Sequence, residues 1–219
     1  MRRALVLGNG ESRASVNIEH FRSSHTLIGC NAIHRDLLVD QLVCCDQRMV
    51  REALKNPQYK EIPIWVRSEW YQFFRKIQKN KNIRELPQLP YQGTKRQDEP
   101  RNWGSGTYAV LLAALEFDSV DLVGFDLYGN NKRVNNIYKG TPNYSGRDSS
   151  AVDPNYWIYQ IGQIIKLFPK TRFNFINRQE WEMPESWKNK NARKLNIIID
   201  QDLNTLYNLH TEVLGIIPL

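Results

Sequence analysis

Six short apolar runs limit what this chain can become: RALVLG at 3–8, HTLIGC at 25–30, DQLVCC at 40–45, IPIWV at 62–66, VDLVGF at 120–125 and RFNFIN at 172–177. They are rich in Val, Ile, Leu and Phe, and several lack the polar alternation of a strand with one wet face. Runs of this kind fit strands buried on both faces, the condition of a parallel sheet. Segments of helical character separate them, at about 13–22, 47–55, 68–79, 105–117 and 154–168. The repeated strand–helix order predicts an α/β fold, a Rossmann-like, mainly parallel sheet with helices on both faces. The last helix has apolar residues at Trp157, Ile158, Ile161, Ile164, Ile165 and Phe168, a stripe for packing on the sheet rather than for stacking a base. With 219 residues and 41% hydrophobic content, one core is expected. Residues 1–177 would form the nucleotide-binding domain, and 178–219 a C-terminal extension packed on it, irregular at WEMPESWKNKNARK with a short helix near 200–209.

Two arginines followed by about five apolar residues make no secretory signal, and no apolar run reaches the roughly 20 residues that span a bilayer. A cytoplasmic protein is the expectation. Cys30, Cys44 and Cys45 lie in strand-like runs without CxxC spacing, which predicts buried free thiols rather than disulfides or a zinc site. The net charge of +7 is concentrated. Arg75, Lys76, Lys79, Lys81, Arg84, Lys95, Arg96 and Arg101 meet only Glu85, Asp98 and Glu99, a local excess of five. Such a segment suits a phosphate-bearing ligand or nucleic acid, although its Pro, Gly and Asn content also reads as a solvated loop.

If RALVLG is the first strand, Gly8, Asn9 and Gly10 form the first strand-to-helix turn, at the edge where open α/β sheets bind ligands. Small residues there let a ligand approach the backbone, and Ser12 would cap the following helix and leave other amides free for an anion. Arg13 occupies the place of the third glycine in a GxGxxG dinucleotide fingerprint, so that motif is incomplete. Three other strand ends carry polar groups: Asn31 after the second strand, Asp46 after the third, and Asp126 with Tyr128 after GF at 124–125. Ser105 and Gly106 open a small-residue helix on the same edge.

These motifs, in this order, resemble those of the bacterial CMP-sialic-acid sialyltransferases of glycosyltransferase family 42. GNGES at 8–12 stands for that family's GNGPS, CN at 30–31 for its CN, SG at 105–106 for its SG, and GFDLY at 124–128 for its GIDFY, so the likeness covers about residues 3–176. A weaker similarity, in the glycine-rich start and the Gly-x-Asp strand end, is to 6-hydroxymethylpterin diphosphokinase-like proteins. The first resemblance implies a CMP-linked sugar donor contacted by Asn9, Gly10, Asn31, Ser105 and Gly106, with Tyr128 on the leaving phosphate and Tyr138 as a second, spacing-shifted tyrosine in a lid at 129–153. The expected partners are the nucleotide-sugar donor and an acceptor that is a glycan, a small molecule or a modified nucleic acid, with no cofactor and no metal.

That family uses a lid histidine as general base, and His20, His25, His34 and His210 all fall outside 129–153. An aspartate serves if its pKa is tuned, and Asp46, Asp126, Asp148 and Asp153 are the candidates. Asp200-Gln201-Asp202 is the one acidic pair with metal-site spacing, better read as acidic residues at a helix start. Two alternatives stand beside sugar transfer: ATP-dependent pyrophosphoryl transfer, and a DNA-binding or DNA-modifying role for 75–101. An oligomer is compatible with all of them.

Overall fold

The computed structural model describes residues 1–129 and 131–197. Its strands are β1 (Arg3–Leu7), β2 (Thr26–Cys30), β3 (Gln41–Val43), β4 (Ile64–Val66), β5 (Ile83–Glu85), β6 (Ser119–Val123), β7 (Arg172–Asn177) and β8 (Ala192–Asn196). All eight join one sheet in the order β5-β4-β3-β2-β1-β6-β7-β8. Every neighbouring pair is parallel. The α/β Rossmann-like architecture expected from the buried strand runs is therefore the observed one. The helices are α1 (Gln47–Lys55), α2 (Ser68–Tyr71), α3 (Ser105–Glu116) and α4 (Asn155–Leu167).

Each face of the sheet has its own core. On one, Val6, Ile28, Leu122, Phe173 and Phe175 pack under α3, α4, Trp181 and Trp187. On the other, Leu5, Leu7, Leu27, Val123 and Ile176 lie in the cluster that holds Met49, Val50 and Ala53 of α1, Tyr59, Phe74 and Tyr138. Helix α3 is apolar around most of its circumference and touches β1, β2, β3 and β6, as a buried crossover helix must. It carries the chain from the β5 edge back to β6, beside β1. The strand order reverses there, so the carboxyl ends of β1 and β6 flank a topological switch point.

Four expectations change. The helix at 13–22 is two 3-10 turns, Glu11–Ser15 and Ile18–Phe21, because Ser12 bonds into the sheet edge instead of capping a helix. The helix at 68–79 is four α-helical residues that widen into a π-helical turn, Gln72–Ile77, closed by Gln78 N–H to Phe73 O at 3.0 Å. The basic segment holds a strand, β5. The stretch after 177 holds β8, and Trp181 and Trp187 within it complete a core. The residues suggested for a helix near 200–209, with Asp200 to Asp202, lie outside the described residues.

Asp121 and Asn174 sit in buried strands because they hydrogen-bond across the sheet. His25 Nε2 meets Asp121 Oδ2 at 2.9 Å, Asn174 Nδ2 donates to Asp121 Oδ1 at 2.5 Å, and Arg193 Nε donates to Asn174 Oδ1 at 2.8 Å. A buried polar group so paired escapes the cost of an unmet hydrogen bond. Cys30, Cys44 and Cys45 are free and buried, and burial pushes the Cys30 thiol up to about 12. No helix among the described residues is long and apolar enough to cross a membrane.

Candidate functional site at the carboxyl edge of the sheet

The Gly8–Gly10 turn is stitched to the end of β6. Gly8 N–H donates to Val123 O at 2.8 Å and Gly10 N–H to Gly124 O at 2.9 Å. The amides that follow are also taken: Glu11 by Asn135 Oδ1 at 2.8 Å, Ser12 by Asp126 Oδ2 at 2.9 Å and Arg13 by Gly10 O at 3.1 Å. The expectation that Ser12 caps a helix and leaves amides open to an anion is corrected. Ser12 is buried, and its N–H and hydroxyl both donate to Asp126.

Asp126 is likewise internal, 7% exposed. Besides Ser12 its carboxylate accepts Asn177 Nδ2 at 3.3 Å, and its carbonyl accepts Trp181 Nε1 at 2.9 Å and Tyr128 N–H at 2.7 Å. The last bond closes a three-residue turn around Leu127, whose φ is +64°. A branched side chain in that region costs about 1–3 kcal/mol and persists only where its surroundings fix it. Asp126 does the fixing. The turn presents Tyr128, 41% exposed, at the end of β6. Partial burial, and then the charge of Glu182, hold its phenol above its ordinary pKa.

The neighbouring strand ends meet the start of α3. Asn31 has φ +50° and accepts the Ser105 hydroxyl on Oδ1 at 2.7 Å, while Ser105 Oγ accepts the Cys45 amide at 2.8 Å. Three elements, β2, β3 and α3, are thereby tied at one point. Gly104 precedes α3 and no side chain caps it. Its first turn carries Ser105, Gly106 and Thr107, and the Thr107 hydroxyl is buried without a hydrogen-bond partner. Arg67, just past β4, donates from Nη2 to Trp103 O at 2.7 Å, and its buried Nε has no partner. The uncapped helix start favours an anion. Asp46 is the N-cap of α1, accepting Arg48 N–H at 2.9 Å, and its side chain is 43% exposed.

Residues 131–153 form a long irregular loop whose arms pair, Val134 N–H to Ser149 O and Ala151 N–H to Lys132 O, both at 2.9 Å. Buried Arg13 donates to Gly8 O at 3.2 Å, Asp36 at 2.9 Å and the Tyr138 phenol at 2.8 Å. Tyr138 also bonds Asp36 and is 5% exposed. Tyr138 therefore anchors the loop to the sheet and does not face the edge, and burial raises its phenol despite the opposing Arg13 charge. Arg35 holds the loop tip through Thr141 Oγ1 at 2.8 Å and Pro142 O at 3.0 Å, and is itself held by Glu52 at 2.8 Å. The Arg35 hydrogen bond keeps the Glu52 carboxyl below its ordinary value.

Arg13, Arg35, Arg67 and Tyr144 were not anticipated as site residues. Arg67 follows the apolar run IPIWV and was detectable by the strand-end rule; the others act through contacts distant in sequence. The basic segment is divided by β5. Lys79 and Lys81 precede that strand at its amino end, whereas Lys95, Arg96 and Arg101 follow it at its carboxyl end. Lys95 packs over the Tyr159 ring at 5.0 Å, and Arg101 pairs with Glu99. A divided cluster touches few phosphates at once. Each phosphate contact contributes about 0.9 log units of affinity per log unit of salt, so duplex DNA binding is expected to be weak and lost near 150 mM salt. Fluorescence anisotropy checks this, and tight binding at that salt, abolished by neutralising Lys79, Lys81, Lys95 and Arg96, would overturn it.

No protein-family model, curated protein or solved structure matches this chain.

Proposed function

We propose that the carboxyl edge binds a nucleotide and that the protein transfers a sugar from a nucleotide-sugar donor, a CMP-linked sugar being the first to try. The observation that carries this reading is the meeting of Asn31, Ser105 and the uncapped start of α3 at one point of the edge. Asp46 and Tyr128 stand at the ends of β3 and β6, three strand spacings or about 14 Å apart. One carboxylate so far away does not take a proton beside the group leaving at Tyr128. In this reading Asp46 binds ribose hydroxyls and Tyr128 donates to the leaving phosphate. The resemblance to family 42 sialyltransferases supports the donor class, and Asn9 and Gly106 complete the nucleotide side.

Pyrophosphoryl transfer from ATP requires carboxylates gathered around Mg²⁺. Among the described residues no three His, Cys, Asp or Glu side chains come together in that way. The test is a thermal-shift screen of CMP, UDP, GDP, ADP and ATP with and without Mg²⁺. A nucleotide at a hundredfold excess over its Kd stabilises by about 2.7 kcal/mol, a rise of roughly 5–10 °C for a chain of this size. The rise should vanish in Asn31→Ala, and turnover of the donor should persist in EDTA. AMP release from ATP that depends on Mg²⁺ would replace this reading with the pyrophosphokinase one, and no shift with any nucleotide would end both.

A further inference from the structure

Tyr144 reaches the strand-end edge from the loop 129–153. Its phenol oxygen accepts Asn9 Nδ2 at 3.2 Å and the Ala32 amide at 3.4 Å, so a single oxygen bridges the segments that follow β1 and β2. Asn9 Nδ2 makes no other hydrogen bond among the described residues. Two N–H donors converging from adjacent strand ends suit an acceptor oxygen of a ligand. The loop tip that delivers Tyr144 is closed on itself, by Tyr144 N–H to Thr141 O at 3.1 Å and Gly140 N–H to Ser145 O at 2.8 Å. Gly140 and Asn143 supply the left-handed positions of that turn, at φ +75° and +67°. Its grip on the body passes chiefly through Arg35, which holds Thr141 and Pro142 and stacks 5.7 Å from the Tyr144 ring.

We infer that the Tyr144 phenol stands in for a ligand oxygen: Asn9 Nδ2 and the Ala32 N–H form a two-donor site for a hydroxyl or phosphate oxygen of the nucleotide, and the loop tip plugs that site until the ligand displaces it. This rests on the nucleotide reading above. The apparent affinity for nucleotide is then lowered by the fraction of molecules whose plug is out.

Tyr144→Phe keeps the ring against Tyr138 and Arg35 but removes the competing oxygen. Titration calorimetry should find its Kd for CMP or UDP about tenfold lower than that of wild type, the worth of roughly one hydrogen bond. Arg35→Met, which keeps the phenol but releases the tip, should tighten binding in the same direction and carries the test if Tyr144→Phe does not fold. Cytidine and CMP separate the two oxygen sources. A gain seen with both assigns the site to a sugar hydroxyl, and a gain confined to CMP assigns it to phosphate. Wild-type binding that is unchanged or weakened in both variants overturns the plug and leaves the nucleotide reading standing. Absence of binding in wild type and both variants overturns the two together.

Discussion

Alanine at Gly8 or Gly10 is expected to lower unfolding stability by about 3 kcal/mol, at the upper end of the cost of overpacking a well-filled site. A Cβ on Gly8 would lie 2.4 Å from Gly124 O, and one on Gly10 2.5 Å from Asp126 Cγ and 2.7 Å from Gly124 O. These neighbours are backbone or a fully bonded carboxylate, so none can step aside. The glycines are needed because β1 and β6 end against each other, not because a ligand approaches the backbone there. Gly106→Ala is the contrasting case. Its Cβ would meet the Phe125 ring at 3.6 Å, an ordinary contact, and alanine in a helix gains about 0.5–1 kcal/mol over glycine. Urea denaturation of the three variants checks the pair of outcomes, and a Gly10→Ala protein as stable as wild type would show that the turn is not pinned to Asp126.

Asp126→Ala should destabilise by a further distinct route, about 3 kcal/mol, because the buried Ser12 amide and hydroxyl and the Asn177 amide lose their acceptor together. The Leu127 turn loses its support, and Tyr128 is no longer held in place at the edge. Any donor turnover should fall with the fold, and Tyr128→Phe should lower turnover without lowering stability, since the phenol is exposed and makes no hydrogen bond among the described residues. Melting temperature and turnover measured on both variants separate the roles. If Asp126→Ala folded as well as wild type yet lost turnover, the carboxylate would be chemical and the staple assignment wrong.

The fold was legible because burial on both faces leaves a local mark. RALVL, TLIGC and SVDLV carry apolar residues at consecutive positions, and α4 repeats its apolar residues at the helical period, so strand, helix and parallel order follow from neighbours in sequence. The two edge strands were harder. β5 has three residues and lies among lysines and arginines, and β8, ARKLN, alternates at a sheet edge; neither contains enough apolar side chain to announce itself. The site was legible as a set of positions, since strand ends converge on one edge in any sheet of this order. The role of each position was not. Ser12 and Asp126 are 114 residues apart, Arg13 and Tyr138 are 125 apart, and Asn9 and Tyr144 are 135 apart. Whether a serine caps a helix, a carboxylate faces solvent or a phenol occupies a site depends on which distant group fills the adjacent volume. The sequence by itself determined the parallel sheet and its polar edge, through local hydrophobic pattern; only the tertiary structure decided that Asp126 and Tyr138 hold the edge together while Asn31 and Ser105 meet at it, because close packing leaves each buried polar atom one set of partners.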